Sequence, residues 1–168
     1  MPALLKLLPS LIVAAVFGLD RVTKHAVTVH MFSGESIPVL PFFHLTYIHN
    51  TGIAFGIGQN QNRIFTFMAG ALLIALLVLR HRWEKKYGAD LKLRAGIALV
   101  IGGALGNLYD RIVFGSVIDF LDFFAGGWHW PAFNVADAAI CIGAGLLIVS
   151  QWKEKPVTSE TPSTSQTS

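Results

Sequence analysis

A single cysteine, Cys141, is all that this 168-residue chain contains, so no intrachain disulfide can staple it. Its expected role is that of a small apolar side chain buried in a helix. Charge is scarce as well: 14% of the residues are Asp, Glu, Lys or Arg, against about 25% in an ordinary soluble domain. There is no His-Glu-x-x-His, and His25, His30, His44, His49, His81 and His129 show no paired ligand spacing, so no metal site is expected. Neither Lys-Ser nor Lys-Thr follows Gly102-Gly103-Ala104-Leu105-Gly106, which excludes a phosphate loop. No basic stripe with interleaved aromatics is present, and nucleic acid is set aside as a partner. Nothing in the sequence asks for a cofactor.

What the chain has instead is apolar length. Hydrophobic residues make up 53% and the mean hydropathy is +0.55, the balance of a protein that lives mostly in lipid. Residues 3–19, 64–79, 95–109 and 135–151 each read as a transmembrane helix. At the rise of a helix they span on the order of 22 to 26 Å, slightly short of a roughly 30 Å hydrocarbon core. A cleaved signal peptide is the other reading of the first segment. It is disfavoured because the run continues through Phe17-Gly18-Leu19 without a clear small-x-small site. Arg80, Arg82, Lys85, Lys86, Lys92 and Arg94 crowd the second link, and Lys153 and Lys155 follow the last segment. The positive-inside rule puts both, and both termini, in the cytoplasm. That topology accounts for the net charge of +3. Residues 1–152 are expected to form a single four-helix domain, and the Ser/Thr-rich 153–168 a disordered cytoplasmic tail.

The stretches between the helices read differently. Residues 33–58 are punctuated by Pro38 and Pro41, and Phe43-His44-Leu45-Thr46-Tyr47 alternates like a half-buried strand. Asn50-Thr51-Gly52 supplies turn chemistry, and Val113 to Ile118 can run extended before a turn at Gly126-Gly127. A small sheet on the outer membrane face fits these signals. Trp128, Trp130 and Phe133 suit the headgroup zone, as anchors or as substrate contacts.

Polar residues gather at that same end. Asp20 and Lys24, four apart, share a face if helix one continues through them. An ion pair is the expected role of Asp20, whereas the Lys24 ammonium is also suited to substrate carbonyls or lipid headgroups. Asn107, Asp110 and Arg111 end helix three, with Asp110 expected in a scaffold and the other two reaching toward a site. Gly102 and Gly106 have the small-xxx-small spacing that lets helices approach closely in lipid. Asp119, read as lying in the last outer loop, and Asp137, opening helix four, each stand at the edge of strongly apolar sequence, where a carboxylate is expensive. Two carboxyls held together share one proton, so that one activates a water while the other donates to a peptide carbonyl. Asn134, one turn before Asp137, is placed to orient a carboxyl or hold substrate backbone. A Ser/Lys dyad between Lys24 and Ser33, Ser36 or Ser116 is weaker, because nothing local activates a particular serine. Rival readings are a small transporter or proton-coupled channel using intramembrane Asp residues, and a non-enzymatic lipid-binding protein.

Taken in order, Asp20-Arg21-Val22-Thr23-Lys24, Asn50-Thr51-Gly52-Ile53-Ala54-Phe55, Gly102 through Arg111, Val117-Ile118-Asp119-Phe120 and Phe133-Asn134-Val135-Ala136-Asp137 resemble the successive motifs of bacterial lipoprotein signal peptidases, signal peptidase II. A monomer is expected, and the resemblance implies an aspartic endopeptidase of the cytoplasmic (inner) membrane with four transmembrane helices, a small extracytoplasmic sheet cradle and a short periplasmic helix. It implies removal of the signal peptide from diacylglyceryl-modified prolipoproteins before the lipidated cysteine, contact with membrane phospholipid, and inhibition by globomycin-type peptides. The matching positions imply Asp119 and Asp137 as catalytic, supported by Asp20, Lys24, Asn50, Gly52, Asn107, Arg111 and Asn134. Ile53 departs from the alanine more usual there, and Asp122, at no motif position, is expected to be dispensable.

Overall fold

The computed structural model describes residues 3–53, 57–87 and 90–152. The tail expected at 153–168, and residues 54–56 of one motif, lie outside the described residues. The elements follow in the order α1 (Ala3–His30), β1 (Ser36–Leu40), β2 (Phe43–Asn50), α2 (Asn62–Tyr87), α3 (Leu91–Val113), β3 (Val117–Ala125), β4 (Trp128–His129) and α4 (Val135–Trp152). The protein is mainly helical, with one small antiparallel sheet.

Helix α3 is the centre of the helical part, packing on α1, α2 and α4. Small residues make that possible. A Cβ at Gly102 would stand 2.9 Å from Val16 Cβ on α1, and one at Gly103 would collide with the Ala136 carbonyl on α4. Gly96 and Gly143 face each other across α3 and α4 in the same way. On the other side Leu93, Ile97, Val100 and Ile101 of α3 bury Leu73 and Leu76 of α2. Facing outward are Leu7, Leu11 and Leu19 of α1, Phe67, Leu72 and Ile74 of α2, and Ile142 and Ile148 of α4. So continuous an exposed apolar surface is what lipid covers. Asn62–Arg80 and Leu91–Val113 are long and apolar enough to cross a membrane, while the apolar run Val135–Ser150 of α4 is shorter.

The structure departs from the expected boundaries where charge or glycine intervenes. Helix α1 does not stop near residue 19 but continues to His30, because Asp20 and Lys24 find partners inside the protein. Residues 113–118 do not form one extended run. Helix α3 continues to Val113, Phe114 caps it, and Gly115 at φ +74° turns the chain. Asp119 therefore sits on a strand, β3, rather than in a loop. The sheet order is β1-β2-β3-β4, and it is seated on the end of α1 by Val27 and Met31 packing against Tyr47, Ile118 and Phe120. A short outer helix was expected near the sheet; of the link between β2 and α2, the described residues 57–60 form a turn.

Candidate active site

A buried charge cluster underlies the site. Lys24, 1% exposed, lies 3.0 Å from Asp20 Oδ2 and 2.7 Å from Asp110 Oδ2, both carboxylates fully buried. Its third proton goes to Asn107 Oδ1 at 3.0 Å. All three ammonium donors are thereby used within the protein, so the ammonium does not reach lipid headgroups. Arg21 bridges the same acids, at 2.9 Å from Asp20 and 2.6 Å from Asp110. Asp20 Oδ1 also accepts the Ala136 N–H at 3.1 Å, tying α1 to the first turn of α4. Gly106 leaves room for this, since a Cβ there would meet Asp20 Oδ2 at 2.6 Å. Two acids and two bases balance each other, as burial requires.

Asn107 and Asn134 carry that order to the two remaining carboxylates. Asn107 Nδ2 donates to Asp137 Oδ1 at 2.7 Å. Asn134 precedes α4 and caps it: its Oδ1 accepts the Asp137 N–H at 3.0 Å, and Asp137 Oδ2 accepts the Asn134 N–H at 3.2 Å. This reciprocal arrangement is a capping box, with aspartate in the third helical position. The Asn134 amide reaches across to donate to Asp119 Oδ1 at 2.7 Å. From the opposite strand Asn50 Nδ2 donates to Asp119 Oδ2 at 2.9 Å. One asparagine thus holds both aspartates. Burial, then the charge of Asp137, pushes the Asp119 carboxyl up to about 7, against the hydrogen bonds from Asn50 and Asn134 and the charge of Lys24. A pair of this kind keeps one proton up to neutral pH.

The remaining motif residues fix the Asn50 loop. Gly52 N–H donates to Asn50 Oδ1 at 2.9 Å, and a Cβ at Gly52 would collide with the Ile57 carbonyl. Arg111 Nη2 donates to the Gly52 carbonyl at 3.0 Å, while Asn62 Nδ2 at the start of α2 donates to the Arg111 carbonyl at 3.0 Å. Arg111 therefore links α3, α2 and the loop that presents Asn50.

Asp119 and Asp137 open into a cavity of about 460 Å³, with Arg111, Phe133, Ile140 and Cys141 among its walls. Cys141 is exposed along this wall, not buried as its apolar neighbours suggested, because α4 turns that face away from α3. A second cavity of about 400 Å³ shares Asn50, Ile53 and Asp119 with the first and continues over the sheet to Asp122 and His129. Sequence reading did not assign roles to Arg21, Asn62 or His129. Arg21 lies inside a quoted motif and Asn62 begins a helix, so both had a weak local signal; His129 had none.

Two carboxylates, Asp119 and Asp137, thus meet at the wall of one cleft in a helical scaffold with an apolar exterior. The family model described as Signal peptidase (SPase) II matches residues 12–153, and the chain belongs to the signal peptidase II family. A lipoprotein signal peptidase of Photorhabdus laumondii subsp. laumondii is 45% identical over 145 residues, covering 84% of this chain and 85% of its own. One of Syntrophotalea carbinolica is 42% identical over 146 residues, covering 86% and 90%. A solved structure described as a bacterial membrane enzyme is similar with a TM-score of 0.79 and 34% identity, over 91% of this chain and 92% of that one.

Proposed function

We propose that Asp119 and Asp137 are the catalytic pair with which this enzyme removes the signal peptide from diacylglyceryl-modified bacterial prolipoproteins, cutting before the lipidated cysteine. The observation that carries this reading is one asparagine, Asn134, hydrogen-bonded to both carboxylates, through its side-chain amide to Asp119 and through its backbone N–H to Asp137, at the wall of a single cavity. The pair enters the reaction with one proton. Its ionised member takes a proton from a water as the water oxygen bonds to the scissile carbonyl carbon, and its protonated member gives its proton to the carbonyl oxygen. The resulting diol collapses, the C–N bond breaks, and a proton passes to the departing nitrogen of the cysteine. The products are a free amine and a carboxyl group, and the pair regains its single proton. Asn107, Asn50 and Asn134 hold the carboxylates in place; Asp20, Lys24 and Asp110 hold Asn107 and α4; Gly52 and Arg111 hold Asn50.

Four membrane-spanning helices, both termini in the cytoplasm of the inner membrane and a sheet on the outer side complete the reading. Residues 1–152 act as one monomeric unit and 153–168 as a cytoplasmic tail. The apolar wall of Phe133, Ile140 and Cys141 suits acyl chains of the substrate, of phospholipid or of a globomycin-type inhibitor. The test is cleavage of a diacylglyceryl-modified prolipoprotein by the purified chain and by folded Asp119→Asn and Asp137→Asn. Each variant is expected to lose about a thousandfold or more in kcat; parental activity in either removes it from the pair.

A further inference from the structure

The strand that carries Asp119 also carries Asp122, three residues on, where regular alternation would point it to the other face. It does not, because β3 is irregular between them. The N–H groups of Phe120 and Leu121 both donate to the Phe133 carbonyl, at 3.0 and 2.8 Å, so two residues of β3 oppose one across the strand. This is a β-bulge. Phe120 and Leu121 accordingly both pack into the apolar cluster under the sheet, and Asp119 and Asp122 both line the cavity above it. Asp122 is 8% exposed and is not left unpaired. Its oxygens lie 2.9 and 3.0 Å from His129 Nδ1, and Oδ2 accepts from Thr46 Oγ1 at 3.4 Å. The Gly126-Gly127 turn, with Gly126 at φ +59°, returns the chain so that His129 pairs with Phe124. The His129 ring stacks on Phe124 with centroids 5.1 Å apart.

We infer that Asp122 and His129 form a substrate subsite that holds the polypeptide on the carboxyl side of the scissile bond. The inference rests on the dyad reading above, which fixes where the bond is cut. The cleft has two arms that meet at Asp119. The arm along α4 is mostly apolar and suits the lipid-borne parts of a substrate; the arm over the sheet ends in polar groups and suits a chain leaving toward water. With Nδ1–H given to Asp122, the imidazole offers Nε2 as an acceptor for a peptide N–H. Asp122, which its place outside the motifs marked as dispensable, is by this geometry a positioning residue: it acts through His129, fixing its tautomer and orientation, and takes no part in bond breaking. Three residues of strand place the subsite about 10 Å from Asp119, so it meets substrate about three residues beyond the cut.

The experiment compares steady-state kinetics on two diacylglyceryl-modified substrates, one with ten residues after the lipidated cysteine and one amidated at the residue following it. For the long substrate, Asp122→Asn and His129→Gln are each expected to raise KM about fivefold with kcat within twofold of the parent, the loss of one hydrogen bond. For the short substrate neither variant should differ from the parent. His129 is half-exposed, so His129→Gln carries the test if Asp122→Asn does not fold. An unchanged KM, an equal rise on both substrates, or a fall in kcat alone overturns the subsite. Cleavage that persists in Asp119→Asn overturns the dyad reading instead, and the subsite with it.

Discussion

Asn134 does two jobs that substitution can separate. As the residue capping α4 it satisfies the Asp137 N–H, and as an amide donor it reaches Asp119. Serine caps a helix about as well as asparagine but is too short to bridge. Asn134→Ser is therefore expected to lose at least tenfold in kcat and the stability of the buried amide bonds; Asn134→Ala should lose the same kcat and melt lower still, by the further loss of about 1 kcal/mol that goes with the cap. The other residue-scale consequence is pH. Burial and the Asp137 charge raise the Asp119 carboxyl to about 7, so the pair loses its last proton, and its acid, as pH rises through neutrality. A kcat profile should fall on the alkaline side with a midpoint near 7. Stability follows the same sign. A carboxyl whose folded pKa lies above its unfolded one contributes most below the unfolded value, and that contribution is lost as pH rises through about 7. Asp119→Asn, which never ionises, should melt higher than the parent at pH 8 and closer to it at pH 5.

At the scale of elements, the site depends on how closely α4 lies against α3. The Gly103 position meets the Ala136 backbone carbonyl, which cannot move aside as a flexible side chain would. Gly103→Ala should push the helices apart, cost about 1–3 kcal/mol by overpacking and depress kcat, because Asp137 rides on the first turn of α4. Gly145 on the same helix has open space where a Cβ would go. There Gly145→Ala is expected to leave activity unchanged and to raise stability by a few tenths to about 1 kcal/mol. Thermal melts in detergent with parallel cleavage assays distinguish the two. A match between their effects would mean that helix spacing does not position the pair.

For the molecule as a whole, Lys24 is the common point of α1, α3 and, through Asn107, α4. Removing it strands two buried carboxylates with only Arg21 between them. Lys24→Met should destabilise by about 3–5 kcal/mol, and Asp20→Asn combined with it should restore part of that loss, which a double-mutant melt reads directly. A simple loss of a surface cation would cost far less. The apolar exterior makes a complementary demand: the fold should hold in detergent or lipid and aggregate when either is withdrawn, followed by size-exclusion chromatography.

What the sequence by itself determined is whatever depends on local pattern. Apolar length marked the helical segments, small residues at spacing four marked the close faces of α3, and Pro and Gly marked the sheet region. An aspartate beside apolar sequence marked each member of the pair, because a costly carboxylate needs a reason wherever it stands. Tertiary structure alone decided matters that join distant positions. Lys24 was equally suited to headgroups or to an internal ion pair, and the choice fell to the buried acids that α3 brings beside it. Asp119 looked like a loop residue because the turn at Gly115 has no period to reveal where a strand begins. Asp122 took its place beside Asp119 through a bulge at Phe120 and Leu121, visible only once a carbonyl from another segment accepts from both. Periodicity encodes which side of one element is buried; which groups then meet across elements is set by packing.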